Sequence, residues 1–118
     1  MKPVANLVAV NNVESALKWY QQAFPKSKLT QSNGFVFLDV DGFALELVPE
    51  DEKVASGKFG TVTYWAVSDL NAEIVRFGAL GSEVYRGPMA IGGGLGMCQV
   101  TDPFGNLIGL RGPFSEAT

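Results

Sequence analysis

The chain of 118 residues contains no histidine. That absence removes the commonest metal ligand and the side chain best suited to proton transfer near neutral pH. It also excludes the Ser-His-Asp and Cys-His arrangements of nucleophilic catalysis. The one cysteine, Cys98, cannot form an intrachain disulfide, so a reducing cytoplasm is the expected location. No apolar stretch approaches the ~20 residues that span a bilayer. The N-terminus MKPVANLVAV lacks the continuous apolar region and small-residue cleavage site of a secretory signal. No membrane partner is therefore expected. The nine Lys and Arg are scattered without a basic run, and the net charge is −3, which speaks against nucleic acid. A mild negative balance favours a neutral or cationic small ligand over an anionic one.

What is present is a duplication. Leu7-Val8-Ala9-Val10-Asn11-Asn12-Val13 and Tyr64-Trp65-Ala66-Val67-Ser68-Asp69-Leu70 share a frame 57 residues apart. In each, a short apolar strand runs into a capping residue, Asn12 or Asp69. A helical apolar face follows the first cap at Val13, Leu17, Tyr20 and Phe24, and Pro25 stops it. The second helix runs from Leu70 through Ile74 and Phe77 towards Gly78 and Gly81.

The closing phrase also repeats. Asp39 to Leu47 reads DVDGFALEL, and Asp102 to Leu110 reads DPFGNLIGL, now 63 residues apart. The six extra residues fall where the Gly-rich IGGGLG, Ile91 to Gly96, stands. That segment fits neither phosphate-loop spacing, and a strand rather than a helix follows it. A loop is expected there. Each half has an Asp/Gly hairpin turn. A further short strand is expected near Lys28 to Gln31 and Glu83 to Arg86. Each half thus reads β-α-β-β-β, an α+β fold. One domain over residues 1–118 is expected, with a first module at about 1–50, a linker at about 49–60 (PEDEKVASGKFG) and a second module at about 60–112.

Two such halves, with Ala-Val-x-Asp or its Asn variant after the first strand and DPxGNxI at the end, resemble the vicinal oxygen chelate superfamily. Glyoxalases, bleomycin-resistance proteins, fosfomycin-resistance proteins and extradiol dioxygenases belong to it. The resemblance covers about Val4 to Leu110. It implies a cup-shaped, curved mixed sheet built from both modules. It also implies a divalent metal held by one side chain from the first and one from the last strand of each half. Carried over position by position, those places hold Ala5, Glu46, Val62 and Gly109. One carboxylate does not make a divalent site. No metal, cofactor or catalytic residue is therefore assigned, and Gly109 is expected to leave open floor.

Strand alternation within that frame gives the expected lining of the cup: Glu46, Tyr64, Met97, Gln99, Thr101, Arg111, Leu7, Val36 and Leu38. Val8, Val10, Phe35, Phe37, Leu45, Leu47, Trp65, Cys98 and Val100 are expected beneath the helices. Glu46 reads either as a ligand contact or as a structural partner of Arg111. Tyr64 reads as a stacking wall or as packing between the halves. An apolar cup with a few polar groups is the ordinary recipe for a small-molecule site. The function expected is metal-independent binding of a small organic molecule by a homodimer, through sequestration or sensing, as in the bleomycin-resistance proteins. Antibiotic resistance is one role this would serve. The alternatives are a metal-dependent lyase, isomerase or dioxygenase, and a metal-free enzyme with Glu46 as general base.

Overall fold

The structure, a computed structural model, describes residues 1–32 and 35–116. The chain forms two compact units, Met1–Ser56 and Gly57–Thr118. The division falls inside the polar, Gly/Pro-punctuated segment 49–60. In the first unit β1 (Ala5–Val10) leads to α1 (Val13–Ala23), then β2 (Lys28–Ser32), β3 (Phe35–Val40) and β4 (Phe43–Pro49). In the second, β5 (Tyr64–Ala66) leads to α2 (Leu70–Ala79), then β6 (Val84–Gly92), β7 (Leu95–Thr101) and β8 (Leu107–Pro113). The sheets are ordered β1-β4-β3-β2 and β5-β8-β7-β6. The first and last strands of each unit run parallel, and the other neighbours are antiparallel. Both units therefore have the βαβββ order and mixed sheet that the repeated frame implies.

The two helices begin alike because their caps are alike. Asn12 Oδ1 accepts a hydrogen bond from Ser15 N at 2.9 Å, and Asp69 Oδ1 accepts one from Ala72 N at 3.1 Å. Each satisfies a backbone donor that the first turn leaves without a partner. The ends differ. Ser82 N donates to Phe77 O and Gly81 N to Gly78 O, with Gly81 at φ 95°. This is a Schellman stop, which needs a residue at ease with positive φ. After α1 the chain exits at Phe24 and meets Pro25, which cannot extend the helical ladder.

Each helix covers one face of its own sheet. Ala16, Tyr20 and Ala23 of α1 are buried, as are Leu45 and Leu47 of the adjoining β4. Leu70 and Phe77 of α2 are buried with Cys98 and Val100 of β7 and Ile108 and Leu110 of β8. Along the regular strands such as β4, β7 and β8 every second residue faces a helix, and the intervening residues form the open face. Burying one such large apolar side chain contributes about 1.5–3 kcal/mol.

The alternation corrects one expectation. Leu38 pairs with Leu45, shares its helix-side face and is fully buried. Val36, two residues earlier, belongs to the same face at the exposed end of the strand. Neither lies on the open face, and Phe37 and Asp39 take that place. The cause is hairpin length. Four residues, Val40 to Phe43, separate the Asp39–Ala44 pair, while five, Asp102 to Asn106, separate the corresponding Thr101–Leu107 pair. Because side chains alternate with period two, one residue fewer flips the phase of β3 relative to β7. The short turn is made by Asp41 and Gly42, both at positive φ. The longer one is tied by the buried Asp102, whose Oδ1 accepts from Phe104 N and Asn106 N, each at 2.8 Å. The side chain of Phe35, expected beneath the helix, lies outside the described residues.

The Gly-rich segment also differs from expectation. It forms no wide loop, because β6 runs on to Gly92 and β7 starts at Leu95. Gly93 and Gly94, at φ 65° and 78°, make a two-residue hairpin turn. The six inserted residues lengthen β6 and its hairpin, and register shifts along β6 accommodate them.

Substituting Leu38→Ala should lower stability by about 2–5 kcal/mol, as for other buried leucines. Urea unfolding followed by circular dichroism checks this. A loss below about 1 kcal/mol would place Leu38 outside the core.

Candidate functional site

The open face of the second sheet carries a polar cluster. Tyr64, Gly109 and Gln99 stand side by side on β5, β8 and β7, and Ala66, Arg111 and Met97 form the next row. Residues paired across strands share a face, so these side chains point together. Gln99 Nε2 donates to the Tyr64 hydroxyl at 2.9 Å. The Arg111 guanidinium lies over the Tyr64 ring, 4.9 Å from its centroid, a cation–π distance.

Beneath the ring is Gly109. A Cβ at this position would stand 2.7 Å from Tyr64 Cγ and Cδ2 and 2.9 Å from the Thr63 carbonyl oxygen. The expected open floor is thus covered, because the tyrosine ring rests on the glycine backbone. The ring position, and with it the contact to Arg111, depends on there being no side chain at residue 109.

The other expected lining residues of this sheet divide by role. Met97 is half-buried beside Arg111. Thr101 Oγ1 accepts from Glu83 N at 2.9 Å and so anchors the start of β6. Cys98 points the other way. Burial pushes its thiol up to about 11, which keeps it protonated at neutral pH and poor as a nucleophile or metal ligand.

On the first sheet, Leu7 pairs with Glu46, so both belong to the open face together with Ala44 and Val48. Leu7 is half exposed and Glu46 half-buried. Among the described residues Glu46 makes no ion pair or hydrogen bond. Arg111 belongs to the second unit, where it is engaged with Tyr64.

Sequence reasoning missed two residues of these faces. Phe37 shares the face of Ala44 and Glu46 through the register of β3 with β4. Arg86 pairs with Gln99. The hairpin length conceals the first, and the register shifts of β6 conceal the second. Gly87 and Pro88, residues that mark edges and bulges, are sequence signals of that irregularity.

The four places that correspond to metal ligands hold Ala5, Glu46, Val62 and Gly109. Three carry no donor, and the ring of Tyr64 fills the space that a side chain at 109 would need. Among the described residues no group of three or more His, Cys, Asp and Glu is placed to hold a metal ion. This donor set does not fit a divalent cation.

A paired βαβββ architecture with mixed sheets defines a class of proteins, and comparison with known families gives its name. Residues 3–110 match the Glyoxalase/Bleomycin resistance protein/Dioxygenase superfamily. The chain belongs to that superfamily. No curated protein matches the sequence. Solved structures share the fold at low identity. TioX from Micromonospora sp. ML1 superposes with a TM-score of 0.70 at 19% identity, covering 96% of this chain and 99% of its own. The fosfomycin resistance protein FosX from Listeria monocytogenes gives 0.73 at 16%, covering 95% and 89%. A glyoxalase/bleomycin resistance protein/dioxygenase family enzyme from Burkholderia phytofirmans PsJN gives 0.75 at 12%, covering 92% and 96%. At these identities the likeness establishes the fold. No helix among the described residues is long and apolar enough to cross a membrane.

The ring-on-glycine contact yields a double-mutant cycle. Gly109→Ala should cost about 1–3 kcal/mol, the usual range for overpacking. In a Tyr64→Ala background the same change should cost at least ~1 kcal/mol less, since contacting residues couple. Equal costs in both backgrounds, measured by urea unfolding, would show that the ring does not rest on Gly109.

Proposed function

We propose that this chain binds a small organic molecule on the open face of its second sheet, without a divalent metal. The observation that carries this reading is the seating of Tyr64 on Gly109. The position where the superfamily resemblance implies a metal-binding carboxylate has no side chain. An aromatic wall stands over it instead, oriented by Gln99 and capped by Arg111. A rigid ring with a polar tip, flanked by an amide and a guanidinium, suits recognition of an organic ligand. No nucleophile is needed for such a role, and Cys98, with its thiol held protonated, offers none. Sequestration or sensing follows as the mode of action: the face holds the molecule and returns it unchanged. The fold shared with a fosfomycin resistance protein supports a place for such binding in drug resistance.

Thermal melts with and without metal test the proposal. A ligand present at 100 times its dissociation constant stabilises by ~2.7 kcal/mol. Zn²⁺, Ni²⁺, Mn²⁺ and Fe²⁺ should leave the melting temperature unchanged, in the parent chain and in Glu46→Gln alike. A saturable, chelator-reversible rise that Glu46→Gln abolishes would contradict it.

A further inference from the structure

We propose that the open face of the second sheet selects a small organic anion: a carboxylate or phosphonate head on an apolar body. This inference rests on the reading that the face is a binding site, and it gives that site a chemical class. It runs against the net charge of the chain, which is −3. Local charge at a site governs recognition more directly than the net value, because exposed charges beyond about 8–10 Å are screened.

Strand register sets out the face. Arg86, Gln99 and Tyr64 belong to one row, and Met89, Met97 and Arg111 to the next. Arg86 and Arg111 stand on β6 and β8, two strand spacings apart, roughly 10 Å across the sheet. That separation suits two cations reaching towards one small molecule. One acid shares the face: Glu83, beside Thr101 at its end. The other acids of the unit are committed or placed elsewhere. Asp69 caps α2, Glu73 pairs with Arg76 at 2.7 Å, Asp102 ties its turn, and Glu116 follows β8.

The hydrogen-bonding capacity left over is donor capacity. A guanidinium stacked on a ring keeps its in-plane N–H groups free. Among the described residues neither Arg111 nor Arg86 forms an ion pair or a hydrogen bond. The Tyr64 hydroxyl accepts from Gln99, so its own proton is available to a ligand acceptor. Two guanidinium groups and a phenol therefore offer donors, and an oxyanion is the group that satisfies them together. Met97 and Met89 supply adaptable apolar contact for the rest of the molecule.

The test uses four probes of one shape: benzoate, phenylphosphonate, neutral benzamide and cationic benzamidine. Each is titrated into ¹⁵N-labelled protein while the side-chain resonances of Gln99, Arg86 and Arg111 are followed. Benzoate and phenylphosphonate should move these resonances saturably, and benzamide and benzamidine should bind at least about tenfold more weakly. Arg111→Met, an exposed substitution that keeps the apolar stem, should weaken both anions about tenfold or more. Arg86→Met should weaken them too, and added salt should lower the affinity. Binding of benzamide or benzamidine as tight as that of benzoate would overturn the anion assignment and leave the small-molecule reading standing. Unchanged benzoate affinity in Arg111→Met would do the same. Silence of the Gln99 and arginine resonances with all four probes would overturn both.

Discussion

An aromatic ring can press close against a strand's backbone where the residue beneath it has no side chain. In this chain that residue is Gly109 and the ring is that of Tyr64. Much of the open face of the second sheet follows from this contact. The ring position brings the hydroxyl to Gln99 and offers its face to Arg111. The register that makes the contact, β5 beside β8 with Tyr64 opposite Gly109, also sends Trp65 and Leu110 to the helix side. One pairing therefore positions both the polar cluster and part of the core.

The two halves of the chain show how a repeat can differ on its open faces while its frame is shared. The closing phrases differ at one informative place, with Glu46 in the first half and Gly109 in the second. A carboxylate stands on the first sheet beside Leu7. On the second sheet, the absence of a side chain at Gly109 admits the ring. The N-terminal helix caps, the βαβββ order and the parallel pairing of first and last strands are shared by both units. Those features answer to backbone hydrogen bonding and apolar periodicity, which tolerate surface change.

The same division explains what was legible in the sequence. Helix starts were readable because Asn12 and Asp69 each serve a defined donor. The helix-side residues Leu45, Leu47, Cys98 and Val100 were readable from strict alternation. Leu38 and Val36 were not, because their phase depends on a turn one residue shorter than its counterpart. Arg86 was hidden for a related reason: the shifts along β6 break the period-two pattern. The ring of Tyr64 on Gly109 was hidden too. A glycine opposite an aromatic residue can mark either open space or close contact, and the register and backbone approach that decide between them arise only in the folded sheet.

Net charge describes the whole chain and not one face of it. It averages acids that cap helices and tie turns with arginines that stand on an open face. Asp69, Glu73 and Asp102 are engaged in local structure, whereas Arg111 is exposed over a ring. The central claim is that this member of the superfamily works through organic contacts and without a metal ion. Elemental analysis of the protein as purified from a metal-replete culture, after gel filtration without chelator, tests it most directly. The account predicts far less than one divalent ion per chain. One ion of Zn, Ni, Mn or Fe per chain, retained through gel filtration and lost in Glu46→Gln, would contradict it.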